Sequence, residues 1–360
     1  MGRVAGNCCH FVFVQHYCMQ FITYGHLSGL TLNIAIIGRN FGNCGVELFF
    51  VLSGFLIYGI LLRRRPPFFD FMGRRLQRLY PAFLVSVVLG IIIDFWRPIP
   101  KIPGDFTNAV TYLAENLLFL PGLLPMDAVS APNWSLSYEW WFYTTATLLF
   151  SVLGLAKLRP VARISIILAF AAVLLGLAAN NVPNVPVRGL CLLAGMLLAE
   201  AKAAKLPALP GGLGVGLGLT AFIAYNWVLP PVWIGALLLA FGFSLVCCVA
   251  VDNRSIFSTW LTWSPLRHFG NMSYSYYLVH GFVVVPAARI VVKLAEGRDL
   301  DLFFWATMAP IFILSWVVGA ALFLTVEKPW SLSKPVPAVS LGRQGRAIAI
   351  PETASGGNDP

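Results

Sequence analysis

The stretch from Gly45 to Pro81, GVELFFVLSGFLIYGILLRRRPPFFDFMGRRLQRLYP, places a carboxylate at the start of an apolar run and a dense group of arginines directly after it. The carboxylate is Glu47. Because a charge near hydrocarbon costs a few kcal/mol, an acid at such a position indicates a functional site. Guanidinium groups bind phosphates through planar, paired hydrogen bonds. The stretch therefore predicts a protein that handles an anionic ligand at a membrane face. Its arginines are Arg63, Arg64, Arg65, Arg74, Arg75 and Arg78.

The composition of the whole chain indicates a membrane protein. Of its 360 residues, 58% are hydrophobic and 11% are charged, and the mean hydropathy is +0.77. A water-soluble fold cannot bury that much apolar surface. The excess of 25 Lys and Arg over 15 Asp and Glu is then typical of loops that set membrane orientation, and it argues against nucleic-acid binding.

Roughly ten apolar segments are long enough to cross a bilayer, since a span needs about 20 apolar residues. The predicted fold class is all-α, a polytopic membrane bundle of about ten transmembrane helices within residues 1–333. The Pro-, Gly- and Ala-rich stretch 334–360 is predicted to be a disordered cytoplasmic tail. The predicted spans are 9–27, 46–62, 79–96, 135–155, 161–179, 186–200, 212–229, 231–251, 273–293 and 302–325.

Basic residues follow every second span, which predicts that these connections and both termini lie in the cytoplasm and that the bundle lies in the inner (plasma) membrane. The opposite side carries the longest connection, 97–134, which is rich in Pro and Gly. It is predicted to be a partly ordered loop over a site entrance. The basic residues that set the orientation are Arg63 to Arg78, Lys157, Arg159, Arg163, Lys202, Lys205, Arg254 and Arg267.

The seven cysteines show no CxxC or CxxH spacing. We therefore predict that they are small packing residues and that the chain holds no metal. A disulfide between Cys18 and Cys44, which lie on the same predicted side, is left open. No internal repeat is found, which argues against a duplicated transporter.

Several ionisable side chains lie within or at the ends of the predicted spans. A histidine in the first span is suited to act as general base on a hydroxyl, because imidazole gains and loses a proton near neutral pH. A hydrogen bond to a neighbouring helix explains such a residue equally well. Glu139 and His280 are open to the same two interpretations. The full set is His10, His16, His26, Glu47, Glu139, Glu200, His280, Arg289 and Glu327.

Four segments, taken in order, resemble the acyltransferase 3 family of integral membrane acyltransferases. They are GVELFFVLSGFLI (Gly45 to Ile57), FMGRRLQRLYPAFLV (Phe71 to Val85), NWSLSYEWWFY (Asn133 to Tyr143) and FGNMSYSYYLVHG (Phe269 to Gly281). The closing VEKPW, Val326 to Trp330, resembles the end of the family's last helix. The resemblance covers nearly the whole chain. It implies a ten-helix membrane domain that passes an acyl group, usually acetyl, from a cytoplasmic coenzyme A thioester to a hydroxyl of an acceptor.

The resemblance also implies site residues. The family's essential first-helix histidine falls on His16, in FVQHYCMQF, with His26 as the alternative. The family's R-x-x-R pair falls on Arg75 and Arg78, which with Arg74 are expected to bind the phosphates of the acyl-coenzyme A donor. The RRR run before them is expected only to set topology. Acyl-coenzyme A is a substrate in this scheme, and no cofactor is expected to stay bound.

Three acidic or imidazole side chains are expected near this chemistry. Glu47 is expected to orient His16 or to pair with an arginine, while a cap at the start of its own helix explains it equally well. Glu139 and His280 are expected beside the base or on the acceptor side.

One family feature has no match in this chain. The family's arginine three turns before the histidine would fall on Ala5 or a neighbour, and Arg3 lies slightly too far away. Either Arg3 takes the place of that arginine after a local shift, or the true start of the protein lies further upstream and includes it.

Two other classes of function stay open at the level of sequence. One is a carrier or flippase for a polysaccharide or lipid-linked intermediate, which would use the same buried polar groups as a path. The other is an accessory membrane protein whose motifs serve helix packing. For the enzyme, the expected acceptor is a surface polysaccharide or glycolipid, with a small molecule such as an antibiotic as the alternative.

Overall fold

The computed structural model describes residues 2–43, 45–97, 100–180, 182, 185–206, 211–228, 231–251 and 270–332. Every regular element in these residues is helical, which confirms the predicted all-α fold class. A 3-10 turn, Leu155–Lys157, precedes the helix that begins at Pro160. A π-helical turn, Phe323–Glu327, lies between the last two helices. The helices, numbered in chain order, are α1 Gly2–Tyr24, α2 Gly29–Asn43, α3 Gly45–Arg64, α4 Phe68–Phe95, α5 Phe106–Leu117, α6 Asn133–Ser151, α7 Pro160–Ala179, α8 Val185–Ala203, α9 Gly211–Val228, α10 Val232–Val251, α11 Ser273–Leu294, α12 Leu300–Leu322 and α13 Lys328–Leu332.

Six segments of the described chain combine the length and the apolarity needed to cross a membrane, so the protein is a membrane protein. The predicted count of about ten spans is not confirmed. Helices α1, α6 and α8 are also long, at 23, 19 and 19 residues, but polar side chains interrupt them. Several of those side chains are buried against other helices. The six segments are Gly29–Arg64, Phe68–Phe95, Pro160–Ala179, Val232–Val249, Ser273–Leu294 and Leu300–Trp330.

Helix α2 occupies residues that were predicted to lie between the first two spans. It runs back along α1, with Gly38 beside Cys18 and Gly42 beside Phe11 and Gln15. A Cβ atom at Gly42 would lie 2.4 Å from the Phe11 carbonyl oxygen, so glycine alone permits this approach. The Asn and Arg residues of α2 interrupt its apolar pattern, and the sequence gives no clear span there. Position 44 is all that separates α2 from α3.

Helices α3 and α8 pack with their backbones in close contact. A Cβ atom at Gly54 would lie 2.1 Å from the Leu192 carbonyl oxygen, and one at Gly195 would lie 2.1 Å from the Val51 carbonyl oxygen. Small residues on both partners are the usual means by which membrane helices approach each other this closely. This contact fixes which face of α3 is turned towards α8.

A buried ion pair joins α7 to α8 and is bonded to α3. The Arg163 guanidinium donates to both Glu200 carboxylate oxygens, from Nε at 2.6 Å and from Nη2 at 3.0 Å. The Tyr58 hydroxyl of α3 donates to the same carboxylate. Arg163 was expected to be a loop charge that sets orientation, but it lies buried in α7. Two parallel bonds satisfy its charge where lipid offers no hydrogen-bond partner.

The long connection 97–134 contains α5 and is anchored by buried side chains. The Asp94 carboxylate accepts from the Lys101 backbone N–H at 2.9 Å. The Asn116 side-chain oxygen accepts from the Val129 N–H at 2.9 Å and from the Asn133 amide at 2.7 Å. These buried carboxylate and amide groups hold the segment against α6. The sequence predicted a partly ordered loop there.

Some sequence predictions fall outside the described residues. These are the disordered tail 334–360, the orientation charges Arg254 and Arg267, and the Cys44 half of the disulfide left open with Cys18. The Arg3 side chain lies outside the described part as well.

We predict that Arg163→Ala destabilises the bundle by about 3–5 kcal/mol, because it leaves the Glu200 carboxylate buried without its partner. The midpoint of thermal unfolding in detergent measures the effect. Arg159→Ala, which removes an exposed arginine four residues earlier, is the matched control and leaves the midpoint nearly unchanged. Equal midpoints for the two variants would contradict a stabilising role for the pair.

Candidate active site

A cavity of about 380 Å³ lies between α3, α4, α6 and α11, within the usual size range of ligand sites. One face of α3 lines it from Gly45 to Ile60, about 22 Å at 1.5 Å per residue. Most of this wall is apolar, and the polar groups come from the other helices. The lining residues are Val12, Gly45, Val46, Phe49, Ser53, Leu56, Ile57, Ile60, Arg75, Arg78, Leu79, Ser135, Leu136, Glu139, Tyr143, Gly270, Ser273, Tyr274 and Tyr277.

The structure separates the three predicted donor arginines. Arg75 and Arg78, three positions apart on α4, both line the cavity, whereas Arg74 is exposed and does not. The Arg75 guanidinium lies over two aromatic rings, 5.0 Å from the Phe71 centroid and 5.2 Å from the Tyr143 centroid. Such stacking holds a cation in place while leaving its N–H groups free to bind an anion.

Glu139 lies buried in the cavity wall at the arginine end. Its Oε1 accepts from the Tyr143 hydroxyl and, at 3.4 Å, from Ser53 Oγ. It interacts electrostatically with both Arg75 and Arg78. Glu139 therefore balances the charge of the two arginines. It lies beside the predicted donor residues and away from the histidines.

His16 and His280 meet between α1 and α11. Their ring centroids are 5.1 Å apart, with the planes tilted by 51°. His280 Nδ1 lies 2.7 Å from the Tyr277 carbonyl oxygen, which can only accept, so this nitrogen carries the proton. His280 Nε2 is buried and has no hydrogen-bond partner among the residues that the structure describes. A bare imidazole nitrogen thus lies beside the predicted base.

The histidine pair lies just beyond the end of the cavity that is opposite the arginines. Val12, one turn before His16, and Tyr277, one turn before His280, both line the cavity. On α6, Ser135 Oγ is 2.7 Å from the Tyr277 hydroxyl, while Tyr143, eight residues later, contacts Arg75. The two ends are therefore separated by about 12 Å along α6. His26, the alternative base, is exposed beyond the end of α1 and does not line this cavity.

Glu47 lies on another face of α3. It shares the side that holds Gly54 and Tyr58, seven and eleven residues later, which pack against α8. Its electrostatic neighbour is Arg188 of α8. Between Glu47 and His16, both of which are described, there is no hydrogen bond. Of the two partners expected for Glu47, the arginine is the one that the geometry supplies.

Arg188 is a half-buried charged residue of α8 that the sequence analysis missed. Its guanidinium lies 4.0 Å from the Trp134 ring centroid, and Nη1 donates to the Tyr138 hydroxyl at 3.2 Å. The sequence did contain a signal for it. An arginine within the apolar run 186–200 carries the same free-energy cost of a charge near hydrocarbon as Glu47 does. In the part of the chain that the structure describes, no group of three His, Cys, Asp or Glu side chains is arranged to hold a metal ion.

A family model for acyltransferase 3, described as an acyltransferase domain, matches residues 6–326. The chain belongs to the acyltransferase 3 family. The family description supports an acyltransferase enzyme rather than the carrier or accessory protein that the sequence left open. No solved structure gives a significant match to the chain.

Its relatives include proteins named as acyltransferases or O-acetyltransferases. YrhL of Bacillus subtilis, named as a candidate peptidoglycan O-acetyltransferase, is 28% identical over 84% of this chain and 52% of its own length. The O-acetyltransferase OatA of Staphylococcus aureus is 26% identical over 68% of this chain and 46% of its own. The acyltransferase MdmB of Streptomyces mycarofaciens is 26% identical over 88% and 87%. The chain thus spans about half the length of YrhL and OatA, and most of MdmB.

We predict that Glu139→Gln lowers the rate of acyl transfer at least about tenfold, because Arg75 and Arg78 then lose their shared counter-charge. Steady-state kinetics of the purified protein measure the change. Asp70→Asn, an exposed carboxylate on α4, is the matched control and keeps the wild-type rate. A Glu139→Gln variant as fast as Asp70→Asn would show that the arginines need no counter-charge.

Proposed function

We propose that this protein is a membrane O-acyltransferase that moves an acyl group, acetyl in the first instance, from acyl-coenzyme A to a hydroxyl of a carbohydrate or glycolipid acceptor. The observation that carries the proposal is the cavity with an arginine pair at one end and a histidine pair just beyond the other. Anion-binding groups and a general base are the two requirements of such a transfer.

The donor is held at the arginine end. Arg75 and Arg78 bind its phosphates, and Arg74 adds positive charge outside the cavity. The apolar wall contributed by α3 suits the long pantetheine arm, which reaches from the phosphates towards the histidines and needs no covalent acyl-enzyme. The basic connections predict that the arginine end faces the cytoplasm, with both termini on that side and the bundle in the inner membrane.

His16 acts as the general base. It removes the proton from the acceptor hydroxyl as the hydroxyl oxygen attacks the thioester carbonyl carbon. The tetrahedral intermediate then collapses, the carbon–sulfur bond breaks, and the coenzyme A thiolate takes a proton from the His16 imidazolium. The products are the acyl ester of the acceptor and free coenzyme A, so atoms and protons balance.

His280 positions the base. Because its Nδ1–H is committed to the Tyr277 carbonyl, its Nε2 is an acceptor for the second N–H of a protonated His16. A buried acceptor that lacks a partner costs free energy until it is bonded, so this bond favours the imidazolium that forms during transfer. Glu47 acts through Arg188 on the packing of α3 against α8.

Residues 1–333 act as one acyltransferase unit in this proposal. The acceptor class is supported by the name of YrhL, which refers to peptidoglycan, and by that of ExoZ of Rhizobium meliloti, which refers to exopolysaccharide production. Both names refer to a bacterial polysaccharide.

We predict that Arg75→Ala and Arg78→Ala each raise the KM for acetyl-coenzyme A at least about tenfold, because each removes a charged contact to the donor phosphates. Arg74→Ala, next in sequence but outside the cavity, is the matched control and changes that KM by less than about threefold. Transfer of radiolabelled acetyl groups in membrane preparations measures all three. If Arg74→Ala has the largest effect, the donor does not bind in this cavity.

We predict that His16→Ala lowers kcat roughly 100-fold or more, because it removes the base. His280→Leu lowers kcat about tenfold, and His280→Gln restores part of the loss, since its side-chain oxygen can accept from His16. His10→Phe keeps the ring contact with Phe312 and serves as the control on α1. Equal label transfer by wild type and His16→Ala would contradict the assigned base. An equal loss of kcat in His280→Leu and His280→Gln would show that His280 serves only in packing.

A further inference from the structure

A second cleft, of about 410 Å³, opens where the end of α1, the end of α11 and the start of α12 meet. It lies at the end of the bundle that is opposite the arginine pair, because α1 passes from Val12 at the cavity, through His16, to Tyr24 at this cleft. Its volume is within the range of ligand sites. The side chains that give it its character are Tyr24, His26, Glu296, Arg298, Asp299 and Asp301.

Two of these carboxylates build the cleft itself. Asp299 accepts from the Leu302 N–H at 3.2 Å and caps α12. Asp301 accepts from the Ser28 hydroxyl at 2.6 Å and from its backbone N–H at 3.2 Å, which ties the α1–α2 loop to α12. These bonds fix the walls of the cleft independently of any ligand.

Three other groups are free to bind a ligand. The side chains of His26, Glu296 and Arg298 are exposed and make no hydrogen bond or ion pair with any described residue. Together they offer donors and an acceptor within one cleft, which matches a polyhydroxylated molecule. With three carboxylates and one arginine the lining is net negative, so it disfavours the phosphate-bearing donor.

A polar seam between α1 and α11 connects this cleft to the histidine pair. His16, Gln20 and Tyr24 are spaced by four residues and share one face of α1, with Tyr24 about 12 Å beyond His16. Arg289 of α11 donates to the Gln20 side-chain oxygen at 3.0 Å and to the Tyr24 hydroxyl at 2.9 Å. Gln20 is buried, so polar groups continue inwards from the cleft.

We infer that this cleft is the binding site for the acceptor, a neutral carbohydrate. Glu296 accepts from sugar hydroxyls and Arg298 donates to them, while the Arg289 guanidinium, 4.6 Å from the Tyr24 ring centroid, holds that ring at the inner edge of the cleft. A sugar hydroxyl that enters the seam replaces the hydrogen bond between Arg289 and Gln20 with bonds of its own. It then reaches His16 from the side opposite the donor. The inference rests on the proposed function and adds to it where the acceptor binds.

The test uses the full-length protein in detergent with acetyl-coenzyme A and chitotetraose, a soluble β-1,4-linked N-acetylglucosamine tetramer. We expect Glu296→Gln and Arg298→Ala each to raise the KM for chitotetraose at least about tenfold, because each removes direct hydrogen bonds to it. The KM for acetyl-coenzyme A stays within about twofold. Lys293→Ala, an exposed cation on the last turn of α11 outside the cleft, is the matched control and changes neither KM.

A second readout does not depend on activity. Arg298→Cys and, as control, Lys293→Cys are labelled with a membrane-impermeant maleimide, and labelling of each site is followed by peptide mass spectrometry. Chitotetraose, supplied well above the raised KM expected without the Arg298 guanidinium, should slow labelling at position 298 at least about fivefold and leave position 293 unaffected.

The outcomes separate this inference from the proposed function. If wild type transfers acetyl groups to chitotetraose but both cleft variants keep its KM, the acceptor binds elsewhere. If chitotetraose gives no protection at position 298, the cleft does not bind this carbohydrate. A third outcome is that wild type consumes no acetyl-coenzyme A with any acceptor while chitotetraose still protects position 298. The proposed function then fails, and the cleft binds carbohydrate for a different activity.

Discussion

Every charge inside this bundle must be satisfied by another part of the protein, because lipid supplies no hydrogen bonds to replace those of water. Most of the buried ionisable groups meet this condition within the described chain. Glu200 is bonded to Arg163 and Tyr58. Glu327 accepts from the backbone and hydroxyl of Ser275. The arrangement of α3, α7, α8, α11 and the π-helical turn follows from these pairings.

Two departures from that condition lie at or beside the cavity, and a third, Glu47 Oε2, is buried without a hydrogen-bond partner among the described residues on another face of α3. His280 Nε2 has no partner beside His16, and Arg75 is compensated through space by Glu139 while its planar face rests on aromatic rings. A structural charge is usually bonded to completion, whereas a group that must bind a substrate keeps capacity in reserve. This contrast distinguishes the cavity from the ion pair between α7 and α8, although each contains arginine and a buried glutamate.

The sequence indicated candidate residues for the site, but it did not indicate how they are arranged in space. The resemblance to the family led to Arg75, Arg78 and His16, whose roles stay predictions, and the structure places both arginines on the cavity wall. The motifs could not assign Glu47, because its face on α3 depends on the glycine contact with α8, which is a tertiary feature. The pairing of His16 with His280 is likewise invisible in sequence, where the two are 264 positions apart.

The helices were predicted with similar limits. Apolar composition established the all-α membrane class, but α2 and the polar helices α1, α6 and α8 do not follow a simple hydropathy rule. Their polar residues face other helices, so an average over a window underestimates how well each helix is buried. The anchors of connection 97–134 were missed for a related reason, because Asp94 and Asn116 bond to backbone groups that are distant from the apolar pattern.

The close approach of Gly42 to the backbone of Phe11 and to Gln15 bears on how this enzyme can diverge. Gln15 immediately precedes His16, so a side chain at position 42 would push the turn of α1 that carries His16 away from α2, even though position 42 lies outside both the cavity and the cleft. The cleft, by contrast, is built largely from helix ends and short turns, where substitutions leave the α1–α11 contact intact. Acceptor preference can therefore change over evolutionary time, or by design, without loss of the catalytic geometry, whereas position 42 has almost no freedom.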